Sequence, residues 1–224
     1  MLKQSFDLYL YLQGQIKECE KEIEENMKKY ISSSEGYPAS NEYGKSEKRR
    51  SKKNMISIDI EKYAYSILGV NLAHIPGISD VALLRLIGEF GHDFTSKFNT
   101  YKEFCCWVNI TPNNKISGGK LLSSKIPKGK NQVGSILRSS ANALKGNKSP
   151  LGEYFRKIQA RNGYIPAIVT TANKLSRIMY TLVKNKIEFR ETFISIDEQE
   201  RLKRKLIRTQ KELERIQNQI NRCA

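Results

Sequence analysis

The chain is short of acid, of histidine and of paired cysteine, and each shortage excludes something. Asp and Glu total 23 against 39 Lys plus Arg, a formal charge of +16. A surplus that large repels itself unless a polyanion meets it, so nucleic acid is the first partner to expect. The two histidines, His74 and His92, stand at no ligand spacing. Cys19, Cys105, Cys106 and Cys223 form no C-x-x-C pair, which excludes a zinc ribbon and a disulfide framework. Reduced thiols and no metal site in this chain are the expectation. No apolar run approaches the roughly 20 residues of a membrane span. The first residues carry Asp7 and too short an apolar stretch for a secretory signal. A soluble, cytoplasmic protein with no membrane partner is expected.

Alternation of apolar and polar residues long enough to build a sheet is also missing, so the fold class expected is all-α. A compact helical domain would carry a helix-hairpin-helix-like element, flanked by long coiled-coil-like arms. Residues 1–31 form the first arm. Leu2, Phe6, Tyr9, Gln13, Ile16, Glu20, Ile23, Met27 and Tyr30 fall on one stripe at alternating steps of four and three, most of them apolar or aromatic, which suits a helix facing another helix. That stripe is already running at residue 2, as in a chain that begins inside a longer design. Residues 32–57 read as a basic flexible linker. Ser32 to Ser34, Gly36 and Pro38 break the helix, and Lys45, Lys48, Arg49, Arg50, Lys52 and Lys53 follow. Residues 58–190 form the compact domain and 191–224 the second arm, its helix starting after Asp197 with a seam of Leu202, Leu206, Thr209, Leu213, Ile216 and Ile220.

Inside the domain, the sequence punctuates its own helices. A short helix precedes Gly69. Ser79 or Asp80 caps a helix that Gly91 stops, and Thr100 with Glu103 makes a capping box before Phe104 and Trp107. Pro112 to Gly119 reads as a loop. Helices follow over Asn131 to Lys145, from Ser149-Pro150 to Gly163, and from Pro166 with Ile168, Ala172, Leu175, Met179 and Leu182 on one face.

Two segments carry chemistry. In Ile75-Pro76-Gly77-Ile78-Ser79-Asp80, Gly77 permits a turn with positive φ, and amides at the helix start can face a phosphate. A tight helix–helix turn with Ile75 and Ile78 buried explains the same residues equally well. The second segment is stronger. Residues 104–152 contain no Asp or Glu, yet carry Lys115, Lys120, Lys125, Lys128, Lys130, Arg138, Lys145 and Lys148. Lys, Gly, Ser and Asn together offer cations, free amides and hydroxyls to a phosphodiester. Ser117, followed by Gly118 and Gly119 and flanked by Lys115 and Lys120, is a candidate nucleophile, and lysines there would neutralise phosphoryl charge. From the residues alone, a serine in such a setting is more often a turn residue.

The order of these motifs resembles a known family. Ile75-Pro76-Gly77-Ile78 with Ala82 and Leu84, Phe98, Trp107, Thr111-Pro112, Ile116-Ser117-Gly118-Gly119-Lys120, Ser124-Lys125, and Lys130-Asn131 through Leu137-Arg138 are similar to the carboxy-terminal transposase domain of the insertion-sequence 110/116/902 family. Tyr154-Phe155, Pro166-Ala167 and Lys174-Leu175 to Tyr180 resemble its closing helices, so the likeness runs from about Gly69 to Lys186. Members of that family are RNA-guided DNA recombinases. The resemblance implies that Ser117 forms a phosphoserine link to a DNA strand. It implies that Gly118 and Gly119 shape the loop, and that Lys120, Lys125, Lys130 and Arg138 meet nucleic-acid phosphates. It further implies DNA and a guide RNA as partners, and a homo-oligomer or a full-length transposase joined through the coiled-coil arms. The family's amino-terminal RNase-H-like domain, whose acids hold magnesium, has no counterpart here, so a transposase fragment inactive alone is expected. The competing readings are a non-catalytic nucleic-acid-binding module and a coiled-coil interaction protein.

Overall fold

The computed structural model describes residues 2–33, 44–46, 56–91, 93–94, 96–127, 129 and 131–223. It falls into two compact units, residues 1–189 and 190–224. In the first, the order is α1 (Leu2–Ser33), α2 (Ile60–Leu68), α3 (Asp80–Phe90), α4 (Tyr101–Trp107), β1 (Asn113–Ser117), β2 (Lys120–Lys125), α5 (Gln132–Ala143), α6 (Pro150–Asn162) and α7 (Tyr164–Asn185). The second unit is one long helix, α8 (Thr192–Cys223). The protein is mostly helical, as its patterning predicts.

Local chemistry sets the helix ends. Ser79, Thr100, Asn131 and Ser149 each accept a bond from a backbone amide of the turn they open, satisfying a donor that has no partner within the helix. Glu103 completes the α4 start by accepting from the Asn99 amide at 2.9 Å and from the Thr100 hydroxyl at 3.1 Å. Gly69 closes α2 in the left-handed region, with φ of 71°. Four boundaries differ from expectation. The α1 helix runs on through Ser32 and Ser33, which were expected to break it. The α5 helix gives way at Leu144–Gly146 to a 3-10 turn, α7 starts two residues before Pro166, and α8 starts at Thr192 rather than after Asp197.

The core is built around α7, against which α4, α5 and α6 pack. Ala172, Leu175, Met179 and Leu182 are buried along it, as the helical stripe requires, while Ile168 is half-buried. Phe90, Phe94 and Phe104 are fully buried and meet edge to face or offset, with the Phe90 and Phe94 ring centres 4.2 Å apart. Tyr180 closes this cluster and donates its hydroxyl to the Phe98 carbonyl at 2.7 Å. Cys105 is buried on the same side, facing Ser176, and burial pushes its thiol pKa up. The α2–α3 pair, joined through Leu72–His74 and the Pro76-Gly77 turn, adds Leu68, Leu72, Ile75 and Ile78 to the buried set.

The amino-terminal half of α1 exposes Leu2, Phe6, Tyr9 and Ile16, and α8 exposes Leu202, Leu206, Leu213 and Ile216. Farther along α1, Glu20 accepts from the Ser57 amide and hydroxyl, and Glu24 accepts from the Tyr63 hydroxyl at 2.8 Å. Burial, and then the bond to Glu24, push the Tyr63 hydroxyl up to about 12. The Glu24 carboxyl is held below its ordinary value by Tyr63 and Lys28. Most of the basic linker lies outside the described residues, but Gly44–Ser46 are held firmly. The fully buried Glu61 carboxylate accepts from the Ser46 amide at 2.8 Å, the Ser46 hydroxyl at 2.6 Å and Asn71 Nδ2 at 2.8 Å. Asn71 Nδ2 also donates to the Gly44 carbonyl, and Lys45 pairs with Asp59.

One expectation is corrected outright. The segment read as a loop from Pro112 to Gly119 is instead half of an antiparallel β-hairpin, with Asn113 paired to Lys125 and Ser117 to Lys120. Gly118 and Gly119 form its two-residue connection with φ of 56° and 75°. Positive φ at both central residues gives a turn whose twist matches that of the strands, and glycine adopts it without strain.

Candidate nucleic-acid interface

The hairpin packs on itself and on no other element to any extent, and only Ser123 and Ile126 of residues 112–127 are even half-buried. Its register sorts the side chains. Directly opposed residues of an antiparallel pair share a face, and faces alternate along each strand. The pairs Asn113–Lys125, Lys115–Ser123 and Ser117–Lys120 therefore lie on one face, and Asn114–Ser124 and Ile116–Leu121 on the other. A bulge between Lys115 and Ile116 leaves Leu122 unpaired on the second strand and keeps the two faces in step past it. Ser117 thus stands at the tip of a face that also holds Lys115, Lys120 and Lys125.

None of these lysines makes a hydrogen bond or ion pair with a described residue, so their charge is free for a ligand. Ser117 is exposed, and among the described residues no side chain is hydrogen-bonded to it. A hydroxyl so placed is accessible but not activated. Attack on phosphorus would need a base brought by something beyond these residues.

The remaining candidates sit elsewhere. Arg138 is on α5, half-buried, and borders an open cleft of about 630 Å³ with Gln132, Ser135, Ser139 and Asn142 on one wall and Ile165 on the other. Gly77 lies at a second cleft of about 240 Å³, lined also by Arg85, Ser135 and Ser139. Its φ is 90°, and a Cβ there would stand 2.7 Å from the Ser140 carbonyl and about 3 Å from Leu144. Packing against α5 accounts for a glycine at that turn without any ligand. Lys130 lies outside the described residues.

The structure thus brings Ser117, Gly118, Gly119, Lys115, Lys120 and Lys125 onto one ribbon and leaves Arg138 and Gly77 on the helical body. It also adds residues that sequence reasoning passed over. Ser135 and Ser139 line both clefts from the α5 face, and their spacing with Gln132 and Asn142 was visible as a polar helical stripe. Trp107, which the sequence had already singled out, is exposed at the end of α4, where its carbonyl accepts from Asn131 Nδ2 at 3.0 Å.

Among the described residues no group of three or more His, Cys, Asp or Glu stands close enough to hold a metal ion. Among the described residues the one fully buried carboxylate, Glu61, is committed to Ser46 and Asn71. Nor is any described helix long and apolar enough to cross a membrane.

Residues 70–156 match the family model for the transposase IS116/IS110/IS902 family. The matched transposase segment is less than half of the chain. It opens in the turn after α2, contains α3, α4, the whole hairpin and α5, and closes within α6. It supports a role in transposition and points to DNA as partner. No curated protein and no solved structure matches the chain with significance.

Proposed function

We propose that this chain is a transposase component that binds DNA through its hairpin and supplies Ser117 as the nucleophile of strand transfer. The observation that carries the reading is the shared face of Ser117, Lys115, Lys120 and Lys125 on a projecting ribbon inside the transposase-matched segment. The lysines would hold the phosphate and offset the charge that builds on its oxygens, while the glycine turn lets the backbone come close. The Ser117 oxygen would then bond to phosphorus as the strand's own ester bond breaks.

The base and any metal chemistry belong, on this reading, to a nuclease domain of another polypeptide. That polypeptide would be a full-length transposase joined through the apolar seams of α1 and α8, with a guide RNA in the complex; a second copy of this chain would use the same seams without supplying that chemistry. Cytoplasmic, DNA-associated localisation follows from the same reading.

The test is a phosphoserine adduct. Labelled duplex, magnesium and a complementing nuclease polypeptide should give a detergent-resistant protein–DNA band with the wild-type chain and none with Ser117→Ala. An adduct that survives the substitution removes Ser117 from the mechanism. The second reading, a non-catalytic nucleic-acid-binding module, is favoured by the lack of any described group hydrogen-bonded to Ser117. It would appear as salt-dependent DNA binding with no adduct under any complementation.

A further inference from the structure

The other face of the ribbon has no part in that chemistry, yet it is the odder of the two. Ile116, Leu121 and Leu122 are 66%, 59% and 69% exposed at the tip of a hairpin that touches little else. Ile116 and Leu121 are directly opposed, and Leu122 is the unpaired residue of the bulge. Scattered single aliphatics on a surface require no explanation, but three together on a projecting tip do. Charge says what meets them. The opposite face carries three free lysines, and no acid occurs anywhere from residue 104 to 152, so the tip is drawn to a polyanion.

A ribbon lying flat on DNA with its lysines against phosphates would leave the aliphatics in water. A ribbon inserted tip first satisfies both faces. The lysines then meet the phosphates along one wall of a groove, and the aliphatics meet sugars and base edges. Resting on the DNA-binding function proposed above, we propose that the hairpin is an apolar wedge. It enters a groove of duplex DNA and opens a base step with Ile116, Leu121 and Leu122. Aliphatic side chains inserted in this way unstack neighbouring bases and kink the duplex. The adjacent Ser117 would thereby face a strand already distorted at the phosphate it attacks.

A wedge has a signature that simple charge attraction lacks. It binds best where the bases are already unstacked, because the opening has been done in advance. The full chain should therefore bind a duplex with a central two-base mismatch several-fold more tightly than the same duplex fully paired. Ile116→Thr/Leu121→Thr/Leu122→Thr keeps residues that favour strands while removing most of the apolar surface. It should bind both duplexes equally, with the wild-type dependence on salt. Leu121→Phe, which enlarges the wedge, should keep the preference or raise it. A wild-type chain that binds both duplexes alike, or a triple-threonine variant that retains the preference, overturns the wedge and leaves DNA binding standing. Loss of self-association in the threonine variant with the mismatch preference intact would assign the patch to a protein partner and overturn it too. A wild-type chain that binds no DNA at all overturns the function and the wedge together.

Discussion

Charge on the hairpin can be weighed through its salt dependence. Replacing Lys115, Lys120 and Lys125 by Gln removes three cations from one face of the ribbon while leaving Ser117 and the apolar face untouched. Each lysine that neutralises a phosphate of B-form DNA contributes about 0.9 to the slope of log affinity against log salt. Three such contacts correspond to about 2.7 of slope. Between about 50 and 200 mM salt, the wild-type chain should then lose roughly fortyfold more affinity than the variant. The control is Lys203→Gln/Lys205→Gln/Lys211→Gln on exposed positions of α8, which removes the same charge from the other compact unit. Fluorescence anisotropy of a labelled duplex over a salt series reads both slopes. Flattening in the hairpin variant alone is expected. Equal flattening in both variants would mean that total charge rather than the ribbon governs binding, and no flattening in either would mean that these lysines meet no phosphate; both outcomes would make the interface described above wrong.

Two further outcomes test the scaffold. Alanine at Gly152 in α6 would place its Cβ 2.1 Å from the Asn147 carbonyl and 2.9 Å from that of Leu144, whereas alanine at Gly88 in α3 meets nothing within 4 Å. Helix preference favours both changes by about 1 kcal/mol, but an overpacking cost of up to ~3 kcal/mol outweighs it only at Gly152. Thermal denaturation should show Gly152→Ala melting several degrees lower and Gly88→Ala slightly higher; shifts of the same sign would refute the close approach. The Tyr63 hydroxyl ionises near 12 in the folded chain, raised by burial and by its bond to Glu24. Its contribution is complete below the ordinary value of about 10 and is lost as pH rises through 12. The stability advantage of wild type over Tyr63→Phe, measured by urea unfolding, should hold at neutral pH and shrink between those values; a gap independent of pH would contradict the assignment.

Sequence alone determined the helices, because their signals are local. Ser79, Thr100, Asn131 and Ser149 mark starts, Gly69 and Gly91 mark stops, and the α7 stripe of Ala172, Leu175, Met179 and Leu182 names its buried face. The acid-free basic stretch was equally legible, since charge and order are properties of the chain itself. The hairpin was not, although Gly118-Gly119 is a recognised two-residue turn. Its strands alternate for barely one period, Asn113 and Asn114 weaken strand preference, and a ribbon exposed on both faces leaves no core pattern to read.

What only tertiary structure decided was adjacency. Cross-strand pairing, bulge included, gathers Ser117 with Lys115, Lys120 and Lys125 and sets Ile116 and Leu121 opposite them. Packing of Gly77 against the Ser140 carbonyl, and of Ser46 on Glu61, likewise joins residues far apart in sequence. Local preference is written residue by residue, whereas the face a side chain shares with others depends on which distant segment lies beside it.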